Sequence, residues 1–82
     1  MKPNLTELQV FVALAHSGHF TRAAERLAMS QSSVSAALAK LERQLGTRLL
    51  DRHTRGCRLT DAGTALLPSA QRLVAEWVHL QL

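Results

Sequence analysis

Cysteine, glycine and proline are scarce in this sequence and long apolar runs are absent, and each of these features narrows the class of protein. A single cysteine, Cys57, cannot form an internal disulfide, so the chain is no disulfide scaffold and suits a reducing cytosol. No apolar run approaches the roughly 20 residues that span a bilayer, and residues 1–4 lack the apolar stretch of a signal peptide. These absences exclude a membrane protein, and we expect a cytoplasmic location.

Size and residue spacing argue against catalysis. Eighty-two residues, 46% of them apolar, make one small domain with a modest core and leave little chain for a deep pocket. The four glycines form no phosphate-binding loop, and no Ser, His and Asp set has a catalytic spacing. His16 and His19 lie three residues apart, but zinc usually takes three or four ligands and no Cys or His cluster completes the set. We therefore expect no enzyme, no metal site and no cofactor in this chain.

The feature that the sequence has in excess is positive charge. Ten Lys and Arg residues outnumber six Asp and Glu residues, which gives a net charge of +4. A basic excess favours an acidic partner, such as nucleic acid or a membrane surface. Four of the ten basic residues lie between Arg48 and Arg58, so the charge is concentrated in one short segment.

Periodicity and capping residues predict a first helix. Apolar residues recur at helical spacing from Leu5 to Ser17. Asn4 and Glu7 have the spacing of a capping box at the start of this helix, and Gly18 is placed to end it. The first element of the chain is therefore a helix with recognisable signals at both ends.

Two further helices are predicted, with very few residues between them. Thr21 is the predicted N-cap of the first of these, which covers Arg22–Ala28. The next residues leave room only for a tight turn, and Ser30 caps a helix over Gln31–Leu45 that Gly46 closes. Helix, tight turn and helix are the arrangement of a helix-turn-helix.

The predicted helix over Gln31–Leu45 is strongly one-sided. Its apolar stripe is opposed by a face that is small and polar at its start and basic toward its end. A helix entering a major groove needs this shape, because bulky side chains near its N-terminus would block the base edges. The stripe consists of Val34, Leu38, Leu41 and Leu45, and the opposite face of Ser32, Ala36, Ala39, Lys40 and Arg43, with Ser35 on its shoulder.

Residues 48–60 change in character and predict a basic hairpin. Arg48–Asp51 and Cys57–Leu59 have the composition of two short strands, and His53–Gly56 has that of a turn. A hairpin after a helix-turn-helix is a wing, which can reach a phosphate backbone or a minor groove. The wing residues that we expect to contact DNA are Arg52, Thr54 and Arg55.

A long last helix is predicted from its N-cap, Thr60, to the end of the chain. Pro68 removes a backbone hydrogen bond inside this helix, so we expect a kink. The first and last helices carry more apolar surface than a monomer of this size can bury, and exposed apolar faces mark an interface. We therefore expect a dimer, with an interface formed by Val10, Leu14, Leu66, Leu73, Trp77 and Leu80.

Five short segments stand in a specific order and spacing along the chain. They are Leu8–Ala15, Gly18–Leu27, Met29–Ser35, Leu41–Arg52 and Leu59–Gly63. The last four resemble the patterns SFT-x-AA-x-x-L, SQ-x-x-(V/L)-S, LE-x-x-LG-x-x-LF-x-R and LT-x-AG. Each fragment is weak alone, but the ordered set is specific. Nearly the whole chain thus resembles the N-terminal DNA-binding domain of LysR-type transcriptional regulators.

This resemblance implies a mainly α fold, in which three helices and a short two-stranded wing form a winged helix-turn-helix, followed by a long C-terminal linker and dimerisation helix. It assigns residues 3–60 to the DNA-binding domain, with the helix-turn-helix at about 20–39, and residues 61–82 to the linker helix. It implies a bacterial protein that binds promoter DNA as a homodimer, or as a tetramer at full length, without a membrane partner. Family members continue into a domain that senses a small-molecule effector, so we expect this chain to be a fragment.

The expected contacts to DNA follow from the resemblance together with the outer face of the third helix. Base readout is expected from Gln31, Ser32, Ser35 and Ala36. Phosphate contacts are expected from Thr21, Arg22, Ser30, Ser33, Lys40 and Arg43. Ala36 stands where the family often has Arg, and Ser32 stands where it often has Pro. We therefore expect fewer direct contacts to base edges, and we expect DNA shape to contribute more of the sequence specificity.

Plainer interpretations of these residues stay open. Thr21 and Ser30 also suit ordinary helix caps, Lys40 and Arg43 ordinary surface charges, and Arg48 an ion-pair partner. One alternative function is a protein-interaction module that uses the apolar faces, although the crowding of arginine on the wing argues against it. Another is the winged helix of a different regulator family, such as the molybdate-responsive regulators, whose DNA-binding domains look similar.

Overall fold

The computed structural model describes residues 4–53 and 56–80, and these residues form four helices and one two-stranded antiparallel sheet. In chain order the elements are α1 (Leu5–Ser17), α2 (Phe20–Leu27), α3 (Gln31–Leu45), β1 (Leu50–His53), β2 (Gly56–Leu59) and α4 (Asp61–Leu80). The predicted mainly α, winged helix-turn-helix fold is confirmed. In the part of the chain that the structure describes, no helix is both long and apolar enough to cross a membrane.

Helix α1 lies at the centre of the domain, because α2, α3 and α4 all pack against it. Its buried residues are Glu7, Leu8, Val10, Phe11, Ala13 and Leu14. Val10 and Leu14 are fully buried, so their predicted place in a dimer interface is wrong. A helix that is apolar on several sides is enclosed by its own domain, and here three neighbouring helices take up the surface that exceeds a single contact.

The predicted ends of α1 are confirmed. The Oδ1 of Asn4 accepts a hydrogen bond from the backbone N–H of Glu7 at 2.9 Å, and the Oε1 of Glu7 accepts one from the backbone N–H of Asn4 at 3.3 Å. These two reciprocal bonds form a capping box, which satisfies donors that a helix start leaves without a partner. Gly18 follows the last turn as the C-cap.

The turn of the helix-turn-helix is held by residues at both of its ends. Ala28 closes α2 in the left-handed region, at φ 55°. Ser30 caps α3 as predicted, since its Oγ accepts a hydrogen bond from the backbone N–H of Ser33 at 3.1 Å. At its far end α3 stops at the predicted residue, with Gly46 as its C-cap.

The start of α2 differs from the prediction. This helix begins at Phe20, and His19 occupies the N-cap position without a side-chain cap bond, so Thr21 is not the N-cap. The Thr21 hydroxyl instead lies within the first turn and accepts a hydrogen bond from Nε2 of Gln31 at 2.7 Å. A cap must precede the first turn whose N–H groups it satisfies, and Thr21 lies too far along the chain to do so.

The first strand of the wing starts at Leu50 rather than at the predicted Arg48. The cause is Glu42 on α3, whose Oε2 accepts hydrogen bonds from the backbone N–H groups of Leu49 and Leu50 at 2.7 and 3.3 Å. The residues that lead into the strand are thus bound to α3. This contact sets where the hairpin leaves the helical body.

The second strand is fastened to the loop between α1 and α2. The backbone N–H of Cys57 donates a hydrogen bond to the carbonyl of Gly18 at 2.8 Å. Gly56 has a φ of 137° and approaches the same carbonyl so closely that a Cβ would overlap it, so only glycine fits there. A two-stranded hairpin is marginally stable alone, and this anchor supports it.

Helix α4 begins at the predicted cap, because Thr60 Oγ1 accepts a hydrogen bond from the Gly63 N–H at 3.0 Å. The helix continues through Pro68 to Leu80, and the kink that we expect at Pro68 stays a prediction. One side of its first half packs on the core through Ala70, which is fully buried. Its partly buried contacts with the core are Ala62, Leu66, Leu67 and Val74.

Candidate nucleic-acid interface

The four residues predicted to read bases lie together at the N-terminal end of α3. Gln31, Ser32 and Ala36 are exposed, and Ser35 is half-buried. All except Gln31 have short side chains, so a base edge can approach the helix closely. The positive end of the helix dipole lies at this end as well, which favours negatively charged groups nearby.

Three serines at the start of α3 form a hydrogen-bonded cluster. The Oγ of Ser30 lies 3.1 Å from that of Ser32 and donates to that of Ser33 at 2.9 Å. All three residues are exposed, and a hydroxyl can exchange such bonds for bonds to an acceptor on a ligand. The structure thus places Ser30 and Ser33, which are predicted to contact phosphate, beside the predicted base reader Ser32.

Gln31 is tied to α2 across the turn. Its Nε2 donates a hydrogen bond to the Thr21 hydroxyl at 2.7 Å. This bond uses one of the two amide N–H donors and leaves the Oε1 acceptor and the other donor for further bonds. Gln31 is therefore oriented, and its amide keeps groups with which to bind.

Arg52 joins the wing to the helix-turn-helix. Its guanidinium carbon lies 4.0 Å from the centre of the Phe20 ring, and its Nη2 donates a hydrogen bond to Ser35 Oγ at 3.0 Å. A cation over an aromatic face is attracted by the ring quadrupole. Arg52 therefore brings positive charge beside α3. The other two predicted wing residues, Thr54 and Arg55, lie outside the residues that the structure describes.

An open groove runs between α3 and the wing. Its charged residues are Arg43, Arg48, Arg52 and Glu42. The Glu42 carboxylate already accepts two backbone hydrogen bonds at the entry to the wing, so the guanidinium groups dominate the charge that the groove can offer to a ligand. A groove of this sign attracts a polyanion.

The remaining predicted phosphate contacts differ in their surroundings. Arg22 and Arg43 are exposed on α2 and α3. Lys40 forms an ion pair with Glu7 on α1, with 3.5 Å between Nζ and Oε2, and the Glu7 side chain is only 3% exposed. A buried carboxylate requires a partner, so Lys40 helps to stabilise the fold by pairing with Glu7. Its contact with phosphate stays a prediction.

Residues 5–64 match the family model described as "Bacterial regulatory helix-turn-helix protein, lysR family". The match covers most of the chain, from the start of α1 into the first turn of α4. The chain belongs to the LysR family. The resemblance carried by the five sequence segments is thus confirmed.

Known relatives and solved structures agree with this assignment. The HTH-type transcriptional regulator CrgA of Neisseria meningitidis is 49% identical over 76 residues, which are 93% of this chain and 25% of that protein. Oxidized OxyR of Corynebacterium glutamicum has a TM-score of 0.97 at 40% identity, over 99% of this chain and 26% of that one. The CbnR DNA-binding domain in complex with DNA has a TM-score of 0.88 at 36% identity, over 95% of this chain and 90% of that one.

The LysR-type chain spans about a quarter of the length of CrgA and most of the length of the CbnR DNA-binding domain. It is thus a helix-turn-helix DNA-binding domain of the kind found in transcriptional regulators. The relatives are regulators rather than enzymes, which agrees with the expectation drawn from the size of the chain.

The LysR-type domain leaves an apolar stripe uncovered on the second half of α4. Leu73, Trp77 and Leu80 are 50%, 41% and 79% exposed. Leu66, in the first half of α4, is half-buried against the core. Of the residues predicted to form a dimer interface, Leu73, Trp77 and Leu80 are therefore placed to contact a partner, whereas Leu66 contributes to the core of its own domain.

The single cysteine of the LysR-type domain is buried where the wing meets the helices. Burial raises the pKa of the Cys57 thiol, and the nearby Arg52 guanidinium opposes this rise. A thiol that stays protonated is a weak nucleophile and a weak metal ligand. Among residues 4–53 and 56–80, no group of three His, Cys, Asp or Glu side chains could hold a metal ion.

Sequence reasoning missed two side chains that shape this interface. Phe20 lies beneath Arg52, and Glu42 binds the backbone that leads into the wing. Both stand inside the segments that resemble the family patterns, at the Phe of SFT and the Glu of LE. The signal was therefore present, but their roles depend on tertiary contacts, since Phe20 meets a side chain of the wing and Glu42 binds backbone groups that lie beyond the end of α3.

Proposed function

We propose that this domain binds double-stranded promoter DNA sequence-specifically, as a homodimer, and so controls transcription. The observation that carries the proposal is the exposed N-terminal end of α3, small and polar, flanked by Arg52 of the wing. Such a helix fits a major groove, and the basic groove beside it suits a phosphate backbone. The likeness to the CbnR DNA-binding domain, which was solved with DNA, supports the proposal.

The residues at the start of α3 divide the readout between them. Gln31, Ser32 and Ser35 carry hydrogen-bond donors and acceptors that base edges can meet, and Ala36 offers a methyl group suited to the methyl of thymine. Phosphate contacts are assigned to Thr21, Arg22, Ser30, Ser33, Lys40 and Arg43, together with Arg52, Thr54 and Arg55 of the wing. Contacts of this second kind set position and affinity rather than sequence preference.

The dimer is assigned to α4. Residues 3–60 act on DNA and residues 61–82 act as linker and dimerisation helix, with Leu73, Trp77 and Leu80 as the apolar contacts. A twofold pair places two α3 helices in successive major grooves, about 34 Å apart, on an inverted repeat. Such a protein acts in the bacterial cytoplasm, and effector sensing belongs to a further domain of a longer chain.

The test begins with selection of bound duplexes from random DNA, followed by titration of selected and random duplexes at several salt concentrations. We expect tighter binding to the selected duplex and a loss of affinity with rising salt, because phosphate contacts release counterions. Gln31→Ala should reduce the preference for the correct base at one base pair by about 1–3 kcal/mol. Arg22→Ala should instead weaken binding to all sequences, and it should reduce the slope of log affinity against log salt concentration by about 1.

Arg72 provides the matched control for loss of charge. It is exposed on α4, where it bonds to Ser69 of the same helix, and it belongs neither to α3 nor to the wing. Arg72→Ala removes the same charge as Arg22→Ala and should leave the affinity and salt slope unchanged. Equal affinity for selected and random duplexes at every salt concentration would reject sequence-specific binding.

A further inference from the structure

We propose that Phe20 is a positioning residue for DNA recognition and that it acts through Arg52. The Phe20 ring and the Ser35 hydroxyl hold the Arg52 guanidinium where the wing meets α3. The inference rests on the proposed function, since it assumes that Arg52 contacts DNA.

Three side chains from three different elements make this contact. Phe20 begins α2, Ser35 lies in the second turn of α3, and Arg52 lies in the middle of β1. The guanidinium carbon is 4.0 Å from the ring centre, and the Nη2 to Oγ distance is 3.0 Å. One arginine therefore connects the wing with both helices of the helix-turn-helix.

The strand pattern explains why Arg52 faces the helices. Side chains alternate between the two faces of a strand, so Arg52 shares a face with Leu50, which is fully buried. Its partner across the hairpin is Cys57, which is also buried. Asp51 and Arg58, which pair with each other across the hairpin, are exposed on the other face.

Phe20 differs from the other phenylalanine in a way that suits this task. Phe11 is fully buried and fills the core, whereas Phe20 is only partly buried and packs at the edge of the core. Its face toward Arg52 stays available for a cation. An aliphatic residue of similar size could fill the same edge, but it would have no ring quadrupole to attract the guanidinium.

The held guanidinium keeps its capacity to bind. A guanidinium has five N–H donors in one plane, and the bond to Ser35 uses one of them. Stacking on a ring uses the face of the plane and leaves the donors at its edge for phosphate oxygens. Because Ser35 accepts this bond, its own hydroxyl hydrogen remains to be donated, so Ser35 favours an acceptor group on DNA.

The experiment is a double-mutant cycle on DNA affinity with the full 82-residue chain, using a duplex selected from random DNA. The four proteins are wild type, Phe20→Leu, Arg52→Gln and the double variant. We expect Phe20→Leu to weaken binding about two- to fivefold, the range of a cation–π contact at an exposed site. In the Arg52→Gln background the same change should have no further effect, because the cation that it orients is gone.

Two controls separate positioning from general damage to the fold. Arg58→Gln removes a wing charge on the opposite face of the hairpin, so Phe20→Leu should keep its full effect in that background. Phe20→Trp retains an aromatic face and should restore most of the affinity. In the DNA-free protein, Phe20→Leu should also abolish the upfield ring-current shift of the Arg52 side-chain protons in NMR spectra.

The outcomes separate this inference from the proposed function. An equal loss of affinity on Phe20→Leu with and without Arg52, or an Arg52 side chain without a ring-current shift in the wild type, would overturn the role assigned to Phe20 while DNA binding stands. Absence of DNA binding by the wild type would overturn the proposed function, and the positioning role with it.

Discussion

Polar side chains at the candidate DNA-binding surface are joined to one another by hydrogen bonds before any ligand is present. Gln31 is bonded to Thr21, and Ser35 is bonded to Arg52. Fixing a mobile side chain on binding costs roughly 0.5–1.5 kcal/mol of free energy. A side chain that is already oriented avoids part of this cost. The residue types at the start of α3 were predictable from the motif, but their partners were not, since those partners come from α2 and the wing.

Gly63 tests the packing at the scale of one residue. It is buried in the first turn of α4, where a Cβ would overlap the carbonyl oxygen of Leu49. Replacing glycine by alanine within a helix ordinarily stabilises by about 1 kcal/mol. Overpacking against a backbone carbonyl reverses this sign, so we expect Gly63→Ala to lower the free energy of unfolding by about 1–3 kcal/mol in urea titrations.

The neighbouring residue supplies the control for this substitution. Thr64 lies in the same turn and is exposed. Thr64→Ala therefore raises the helix propensity and creates no steric overlap. We expect its free energy of unfolding to stay equal to the wild-type value or to rise by a few tenths of a kcal/mol. A Gly63→Ala protein as stable as the Thr64→Ala protein would contradict the close approach of α4 to Leu49.

Secondary-structure elements were predictable where their ends depend on nearby residues. Asn4, Ser30 and Thr60 all cap the helices that the sequence assigns to them, because the bond that each makes spans only three residues. The start of β1 was predicted wrongly, because it depends on Glu42, whose carboxylate reaches past the end of α3 to the backbone of Leu49. The N-cap assigned to Thr21 was wrong because α2 already begins at Phe20, which places Thr21 inside the first turn.

Ser30 allows the stability of α3 to be tested as an element. Its hydroxyl accepts the Ser33 N–H at the start of α3, so Ser30→Ala leaves a backbone donor without its cap. We expect a loss of about 1 kcal/mol, which lowers the melting temperature of a domain of this size by roughly 4–8 °C. Thermal unfolding followed by circular dichroism measures this change.

Ser32 is the matched control for this cap. It belongs to the same exposed cluster, but its hydroxyl bonds to that of Ser30 and caps no backbone N–H group among the described residues. Ser32→Ala should therefore change stability by less than about 0.5 kcal/mol, as is usual for surface positions. If both variants melt at the same temperature, the Ser30 bond is not what stabilises the start of α3.

For the molecule as a whole, the fold could be predicted from the sequence. Which apolar helix faces pack into the core and which stay exposed could not. The order of caps, turns and basic residues led to a winged helix-turn-helix, because each signal is local. Whether an apolar helix face belongs to the core or to an interface depends on how many neighbours the helix has. Val10 and Leu14 are fully buried because α1 is central, whereas Leu73 and Trp77 stay exposed on α4.

The two halves of α4 therefore have different surroundings. In the first half, Ala70 is fully buried and Leu67 packs against the core. In the second half, Leu73, Trp77 and Leu80 leave large apolar surfaces exposed. Removing apolar surface from water lowers the free energy by about 25 cal/mol for each Å². A second copy of the chain that covers this stripe would therefore stabilise the assembly.

Trp77 is the residue on which the proposed dimer interface should depend most, because large aromatic side chains dominate the binding energy of many interfaces. Trp77→Asp would place a charge in the apolar contact, and we expect the dimer dissociation constant in sedimentation equilibrium to rise about thirtyfold or more. Ala75→Asp adds the same charge to the same helix about 200° away around its axis, so it should leave the dimer intact. If the Trp77→Asp protein sediments as the wild-type dimer, the partner does not contact this stripe, and the exposed half of α4 must serve another contact.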